Sequence, residues 1–275
     1  MAVQIIGAQG AVTSWTGTFY TALLSKMNAM AATVTAAGDV IDVTALGDYG
    51  RNIIPGLGQW TAQLEGFAKI GSAPALGNTG LVAYTGSTNI YIDSFTININ
   101  AQVHETTAFN ASAPLWKTFR PGVVNWSGTM NARLDDVAAA PLPLAVGGSP
   151  VSAVFTYGTN ATLTGNIVIT SVAPSVRVGG ISVVPITFNG TGTLTPNSGG
   201  NSILGTTAFG GTSASGIPEW NSDGASAKPL TITTNSGNTL VGADGFWSSL
   251  SITAGVSQAV MLTVGVQGSG SLTAT

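Results

Sequence analysis

Four eight-residue segments of this chain align without a gap, and internal repetition of that kind limits the fold more tightly than composition does. They are QWTAQLEG from Gln59, NWSGTMNA from Asn125, NGTGTLTP from Asn189 and QGSGSLTA from Gln267. The sixth position is apolar in each (Leu64, Met130, Leu194 and Leu272), and small or hydroxyl residues fill most positions before it. The flanks sort the four into two pairs. VIDVTAL from Val40 matches VHETTAF from Val103, and each is followed by Pro-Gly and then Trp: Pro55-Gly56 with Trp60, and Pro121-Gly122 with Trp126. In the other pair, ISVVPITFNGTGTLT from Ile181 runs against AVMLTVGVQGSGSLT from Ala259, and the same offset reaches back to Ser171 and Ser249. The chain therefore divides into four half-units, near residues 7–72, 78–140, 146–197 and 225–275.

These half-units read as strands. Glycine occupies 37 of 275 positions, and Thr, Ser, Asn, Val and Ala dominate the remainder, a mixture typical of short strands and turns. In IYIDSFTINI the apolar positions are Ile90 and Ile92, then Phe95, Ile97 and Ile99; in IVITSVAPSV they are Ile167 and Ile169, then Val172 and Val176. A one-residue slip in a period of two predicts a β-bulge, which lets one long strand bury different faces along its length. One short helix is predicted over Thr18 to Ala31, where Phe19, Leu23, Met27 and Met30 recur at helical spacing. The joins are Gly/Pro-rich: GSAPALGNTG from Gly71, PLPLAVGGSP from Pro141, and the long run NSGGNSILGTTAFGGTSASG from Asn197, which reads as a loop or linker.

Charge narrows the function classes. Only 7% of residues are charged, against about 25% in an average soluble protein, which suits a subunit whose surface is covered by neighbours. No window approaches about 18 consecutive apolar residues, so no membrane-spanning helix is expected. MAVQIIGAQGAVTSW has no basic stretch leading into an apolar block, so no secretory leader is expected. An outer-membrane barrel would need such a leader and aromatic girdles. Cysteine is absent, which removes disulfides and thiolate metal sites. Eight Lys and Arg, scattered singly in a chain of net charge −3, make no stripe for gripping nucleic acid.

Chemistry-bearing residues are sparse. His104 is the single histidine; it matches Ile41 in the repeat, and its neighbour Glu105 points to the opposite face of a strand. Asp135-Asp136 lack a surrounding calcium-loop pattern, and Gly179-Gly180 and Gly210-Gly211 lack the Lys of a phosphate loop. No nucleophile–base pair stands out. The chain is expected not to be an enzyme and to need no cofactor or metal. Trp60 and Trp126 occupy equivalent positions and are expected to anchor the core. Trp116, with Lys117, Phe119 and Arg120, lies in a loop that is longer in the second half-unit than in the first. It is the candidate inter-subunit contact, aromatics and Arg being enriched at interface hot spots.

These residues resemble the tail tube, or major tail, proteins of long-tailed bacteriophages. The similarity rests on Asp42-Val43-Thr44, Gly47-Asp48, Ile54-Pro55-Gly56-Leu57 and Leu64-Glu65-Gly66-Phe67, then on the bulged strand from Ile167 to Val178, Gly179-Gly180, and Gly190 to Thr195. It covers most of the chain except Asn197 to about Ala227. It implies an all-β fold of tube-like β-sandwich or barrel domains whose sheet edges join those of neighbours into rings. A single tube domain would run first-type half, then second-type half; this chain runs first, first, second, second. The simplest arrangement is nested, with residues 78–197 forming a tube-like domain inserted into an outer one made of 1–77 and 198–275. An interleaved pairing of the half-units is the alternative. The resemblance further implies a virion protein assembled in the host cytoplasm, whose partners are itself and other tail proteins. Three chains would form a pseudo-hexameric ring, and stacked rings would pass DNA without binding it specifically. Asp39, Asp42 and Asp48 would suit a lumen that repels phosphate, or else are solvated turn residues. A capsid decoration or other virion surface β-protein is the alternative function.

Overall fold

The computed structural model describes residues 2–5, 12–15, 24, 27–45, 50–70, 73–74, 82–84, 90–107, 116–134, 146–158, 161–175, 183–196, 228–233 and 239–274. Almost all of them are strand: β1 (Ala2–Ile5), β2 (Val12–Trp15), β3 (Met27–Asp42), β4 (Ile53–Ile70), β5 (Ala73–Pro74), β6 (Val82–Tyr84), β7 (Ile90–Glu105), β8 (Phe119–Leu134), β9 (Val151–Gly158), β10 (Ala161–Val172), β11 (Val183–Pro196), β12 (Lys228–Thr233), β13 (Thr239–Gly255) and β14 (Met261–Ala274). The protein is all-β. The strands form a 14-stranded sheet in the order β1-β3-β4-β14-β13-β7-β8-β11-β10-β9-β6, with β12 and β2 branching from β13 and β5 from β4. Each pairing of these strands is antiparallel.

The sheet order follows the repeat. Strands from residues 1–77 and 198–275 make up the stretch β1-β3-β4-β14-β13 with its branches, and strands from 78–197 make up β7-β8-β11-β10-β9-β6. The first half-unit (β3, β4) pairs with the fourth (β13, β14), and the second (β7, β8) with the third (β10, β11). Register repeats as closely as order. The β3–β4 ladder slips between Ala29 and Ala31 and between Gly38 and Val40; 63 residues later, the β7–β8 ladder slips between Ile92 and Ser94 and between Ala101 and Val103. The β10–β11 ladder slips at Thr164/Asn166 and Ile169/Ser171; 78 residues later, β13–β14 slips at Gly242/Asp244 and Trp247/Ser249. The bulges expected at Ile92 and Ile169 from the apolar phase are among these.

The sheet also folds back on itself. β7 and β9 are four strand spacings apart in the hydrogen-bonded order, about 19 Å across a flat sheet. Yet the Phe95 and Phe155 rings lie 5.4 Å apart, with Phe155 also stacked on Phe188 at 5.3 Å. The stretch β10-β9 therefore lies over β7-β8-β11 in a sandwich-like layer. Alternating side chains fill the space between: Phe95, Ile97 and Ile99 from β7, Ala153, Phe155 and Tyr157 from β9, and Ile186 and Phe188 from β11 are all buried.

Two tryptophan sockets hold the layers. Trp60 and Trp126 are buried, and their indole N–H groups donate to the carbonyls of Gly270 (3.1 Å) and Gly192 (3.2 Å), again 78 residues apart. Both acceptors are glycines at positive φ (88° and 69°), a turn conformation that other L-residues adopt at a cost. A Cβ added to Gly190 would fall within the Trp126 ring, and one added to Gly268 within the Trp60 ring. The glycines at these positions thus make room for an indole whose burial contributes about 4–6 kcal/mol before ordering costs.

The predicted helix does not reach Ala31, although Leu24 within its span is helical. Met27–Ala31 are strand, with Met27 paired to Ala68, and the remainder of 18–31 apart from Leu24 lies outside the described residues. Met27 is buried in either conformation, so its spacing from Leu23 could not discriminate between them, and pairing with β4 overrides the weak β propensity of this alanine-rich stretch.

Gly190→Ala and Gly268→Ala should each lower the unfolding free energy by about 1–3 kcal/mol in urea titrations, because the indole must shift to admit the methyl group. Gly38→Ala, where the methyl meets nothing within 4 Å, should leave stability unchanged or raise it by about 0.5–1 kcal/mol.

Candidate functional site

The two stretches of sheet meet at one ladder. One edge of β13 carries two partners in succession: β12 along Thr239–Gly245, then β7 along Ser249–Gly255. The second ladder runs from Ser249↔Asn100 to Gly255↔Ser94 without a slip, and the Thr96 and Thr253 hydroxyl oxygens lie 3.2 Å apart across it. Val256 N–H extends it by donating to the Asp93 carbonyl at 2.9 Å.

Residues 116–119 add a second contact between the stretches. Trp116 lies against Gly58 of β4, where a Cβ would come within 2.9 Å of its ring. Lys117 N–H donates to the Gly58 carbonyl at 2.7 Å, and Gly270 N–H donates to the Lys117 carbonyl at 3.1 Å. Phe119 N–H donates to Ser269 Oγ at 3.0 Å. The Lys117 ammonium sits 2.8 Å from Asp39 and 4.0 Å from Glu105, with only 16% of its side chain exposed. The hydrogen bond that the ammonium donates to Asp39 holds the lysine above its ordinary pKa, against the opposing effect of desolvation. The predicted contact residues Trp116, Lys117 and Phe119 are therefore engaged within the chain, while Arg120 is exposed, paired in register with the exposed His104.

The acidic residues are also engaged. Asp39 meets Lys117, and Asp42 accepts from the Thr44 hydroxyl (2.6 Å), the Thr44 N–H (3.0 Å) and Arg51 Nε (2.8 Å). These donors, the Thr44 hydroxyl foremost, hold the Asp42 carboxyl below its ordinary pKa. Two of the three carboxylates considered for a repelling lumen are thus paired with cations. Asp48, Asp135-Asp136, Gly179-Gly180 and Gly210-Gly211 lie outside the described residues. Among the described residues, no group of three His, Asp or Glu is placed to hold a metal, and no helix is long and apolar enough to cross a membrane.

Gly58, Ser269 and Gly270 belong to this joint, and sequence reasoning did not single them out. Their repeat counterparts are Val124, Thr191 and Gly192, so the exchange of Val for Gly at position 58, which opens a seat for Trp116, was the available signal.

Trp116→Ala should lower stability by about 1–3 kcal/mol, because it empties the seat on Gly58, whereas Arg120→Ala should change it by no more than about 0.5 kcal/mol. A lysine whose pKa is raised on folding contributes stability that is complete below 10.5, its ordinary value, and is lost as pH climbs through the raised one. In denaturation series above pH 10.5, Lys117→Met should therefore lose less stability than the parent.

The chain matches no family model, no curated protein and no solved structure.

Proposed function

We propose that this chain is a structural subunit that polymerises with itself into the tail tube of a long-tailed bacteriophage and carries no reaction. Residues 78–197 are one tube unit inserted into another made of 1–77 and 198–275, and three chains close a pseudo-sixfold ring. The observation that carries this reading is the edge-to-edge joint between two stretches of sheet that share strand order, bulges and tryptophan sockets. Two such units in one chain amount to a segment of a ring. A contact of this heterologous kind, repeated, closes a ring if its rotation divides a full turn and otherwise continues as a filament.

Three further features favour a covered subunit. Only 7% of residues are charged. Large apolar side chains are exposed at the β3–β4 end: Val40 at 63%, Ile53 at 56% and Ile41 at 50%. The motifs around Asp42, Pro55 and Leu64 resemble those of tube proteins. With net charge −3 and paired carboxylates, the lumen would neither grip nor strongly repel a passing duplex.

Negative-stain microscopy of the concentrated protein tests this. Tubes with three chains per ring are expected, together with no retention of duplex DNA at moderate salt. Six chains per ring would remove the two-unit reading. A chain that stays single at high concentration and is missing from virions would remove the function altogether. Free trimers or flat sheets would instead favour a capsid surface protein.

A further inference from the structure

We propose that copies of this chain join through β10 of one and β3 of the next, and that β1 occupies the β3 edge until that copy arrives. The inference rests on the self-assembly proposed above and assigns it a register.

The internal joint supplies the template. β13 uses Ser249–Gly255 to pair with β7; 78 residues earlier, the end of β10 from Ser171 and the residues that follow it to Ser175 have no strand among the described residues beside them on that edge. β9 covers β10 only along Ala161–Ile167, and Ser171, Ala173, Pro174 and Ser175 are exposed. The counterpart of β7 is β3, 63 residues earlier. Transferring the β13–β7 register to the pair gives Ser171↔Ala37, Val172↔Ala36, Ala173↔Thr35, Pro174↔Val34 and Ser175↔Thr33. The sheet would then run on through the next copy with the same ladder it already uses internally.

Side chains at the two open ends fit the same transfer. Phe119 packs on the core beside Ser269; its counterpart Ile53 is 56% exposed, and Thr191 and Gly192, the counterparts of Ser269 and Gly270, are exposed on the other unit. Val123 of β8, whose counterpart Leu57 is half-buried, is 66% exposed. Lys117 with Glu105 is matched by Arg51 with Asp42. The β3–β4 end of one copy therefore presents apolar groups for which β8 and β11 of another have an uncovered seat.

In the single chain, β1 already sits on the required edge. Its pairs are Ala2↔Thr35, Val3↔Val34 and Gln4↔Thr33, antiparallel, in the direction and register that Ala173, Pro174 and Ser175 would take. Four residues pairing on one edge make a short ladder that a longer strand can displace. The residues that follow β10 carry their own guard. Ala173 and Ser175 donate their N–H groups to β11, at 3.1 and 2.9 Å, so residue 174 faces the open edge, and as proline it brings no donor there. The joint between chains thus has one hydrogen bond fewer than the joint within a chain.

The chain has no cysteine, so Thr33→Cys with Ser175→Cys introduces the only thiols, at the counterpart of the close Thr96–Thr253 pair. Mild oxidation of the full-length double variant should give a reductant-sensitive ladder of multimers, with about tenfold less linked product from the shifted pair Thr35→Cys/Ser175→Cys. Oxidised Gln4→Cys/Thr33→Cys should stay single and assemble once reduced, and deletion of residues 1–6 should shorten the lag. Assembly of the oxidised Gln4/Thr33 variant at the parent's rate would overturn the role of β1. Tubes that form without Thr33–Ser175 linkage would overturn the joint and leave the tube reading standing. Linked rings that never stack would keep the joint and remove the tube. A parent chain that never associates would overturn both.

Discussion

Every long strand here has two edges of peptide groups, and the whole arrangement turns on how those edges are filled. A buried, unpaired N–H or C=O costs as much as a lost hydrogen bond, and an open edge exposed to solvent invites pairing with whatever strand comes near. β13 answers this by taking β14 on one side and β12 followed by β7 on the other. Its bulge between Trp247 and Ser249, where the partner changes from β12 to β7, lets the strand bend from one layer toward the next while the ladders continue. Without that division of one edge between two partners, the chain would be two separate sheets.

The tryptophan sockets make each unit's curvature specific. An indole needs a flat space and one acceptor for its N–H. The Gly-rich hairpins supply both, with glycine under the ring and a left-handed glycine offering its carbonyl. The Gly/Thr-rich composition, which suggests looseness when read alone, is the negative of a large aromatic shape. The rest of the layer is ordinary alternation, with aliphatic and aromatic residues inward and Thr, Ser and Asn outward.

The features legible in sequence were those carried by short-range pattern. The phase slips around Ile92 and Ile169 marked bulges, because a period of two cannot shift without an extra residue. Trp60 and Trp126 were legible as buried anchors because both follow Pro-Gly at the same spacing. Met27 was misread because a residue buried at one end of a strand fits a helical period as well. The contacts of residues 116–119 were illegible for a different reason. The seat on Gly58 and the carboxylate of Asp39 come from segments more than fifty residues away, brought together only by the β13–β7 ladder. The pairing of β1 could not be read either, since four residues of AVQI carry too little pattern to reveal a partner.

The β13–β7 joint lies within a single polypeptide, and that alters the arithmetic of association. Two modules on one chain meet at an effective concentration on the order of millimolar, whatever the dilution. In a six-unit ring built from such chains, every other seam would close by folding alone, at a rate indifferent to expression level. Only the alternate seams would answer to mass action, and nucleation would need three bodies to meet where separate units need six. Fusing the units in this way would lower the reaction order of such a ring's nucleation.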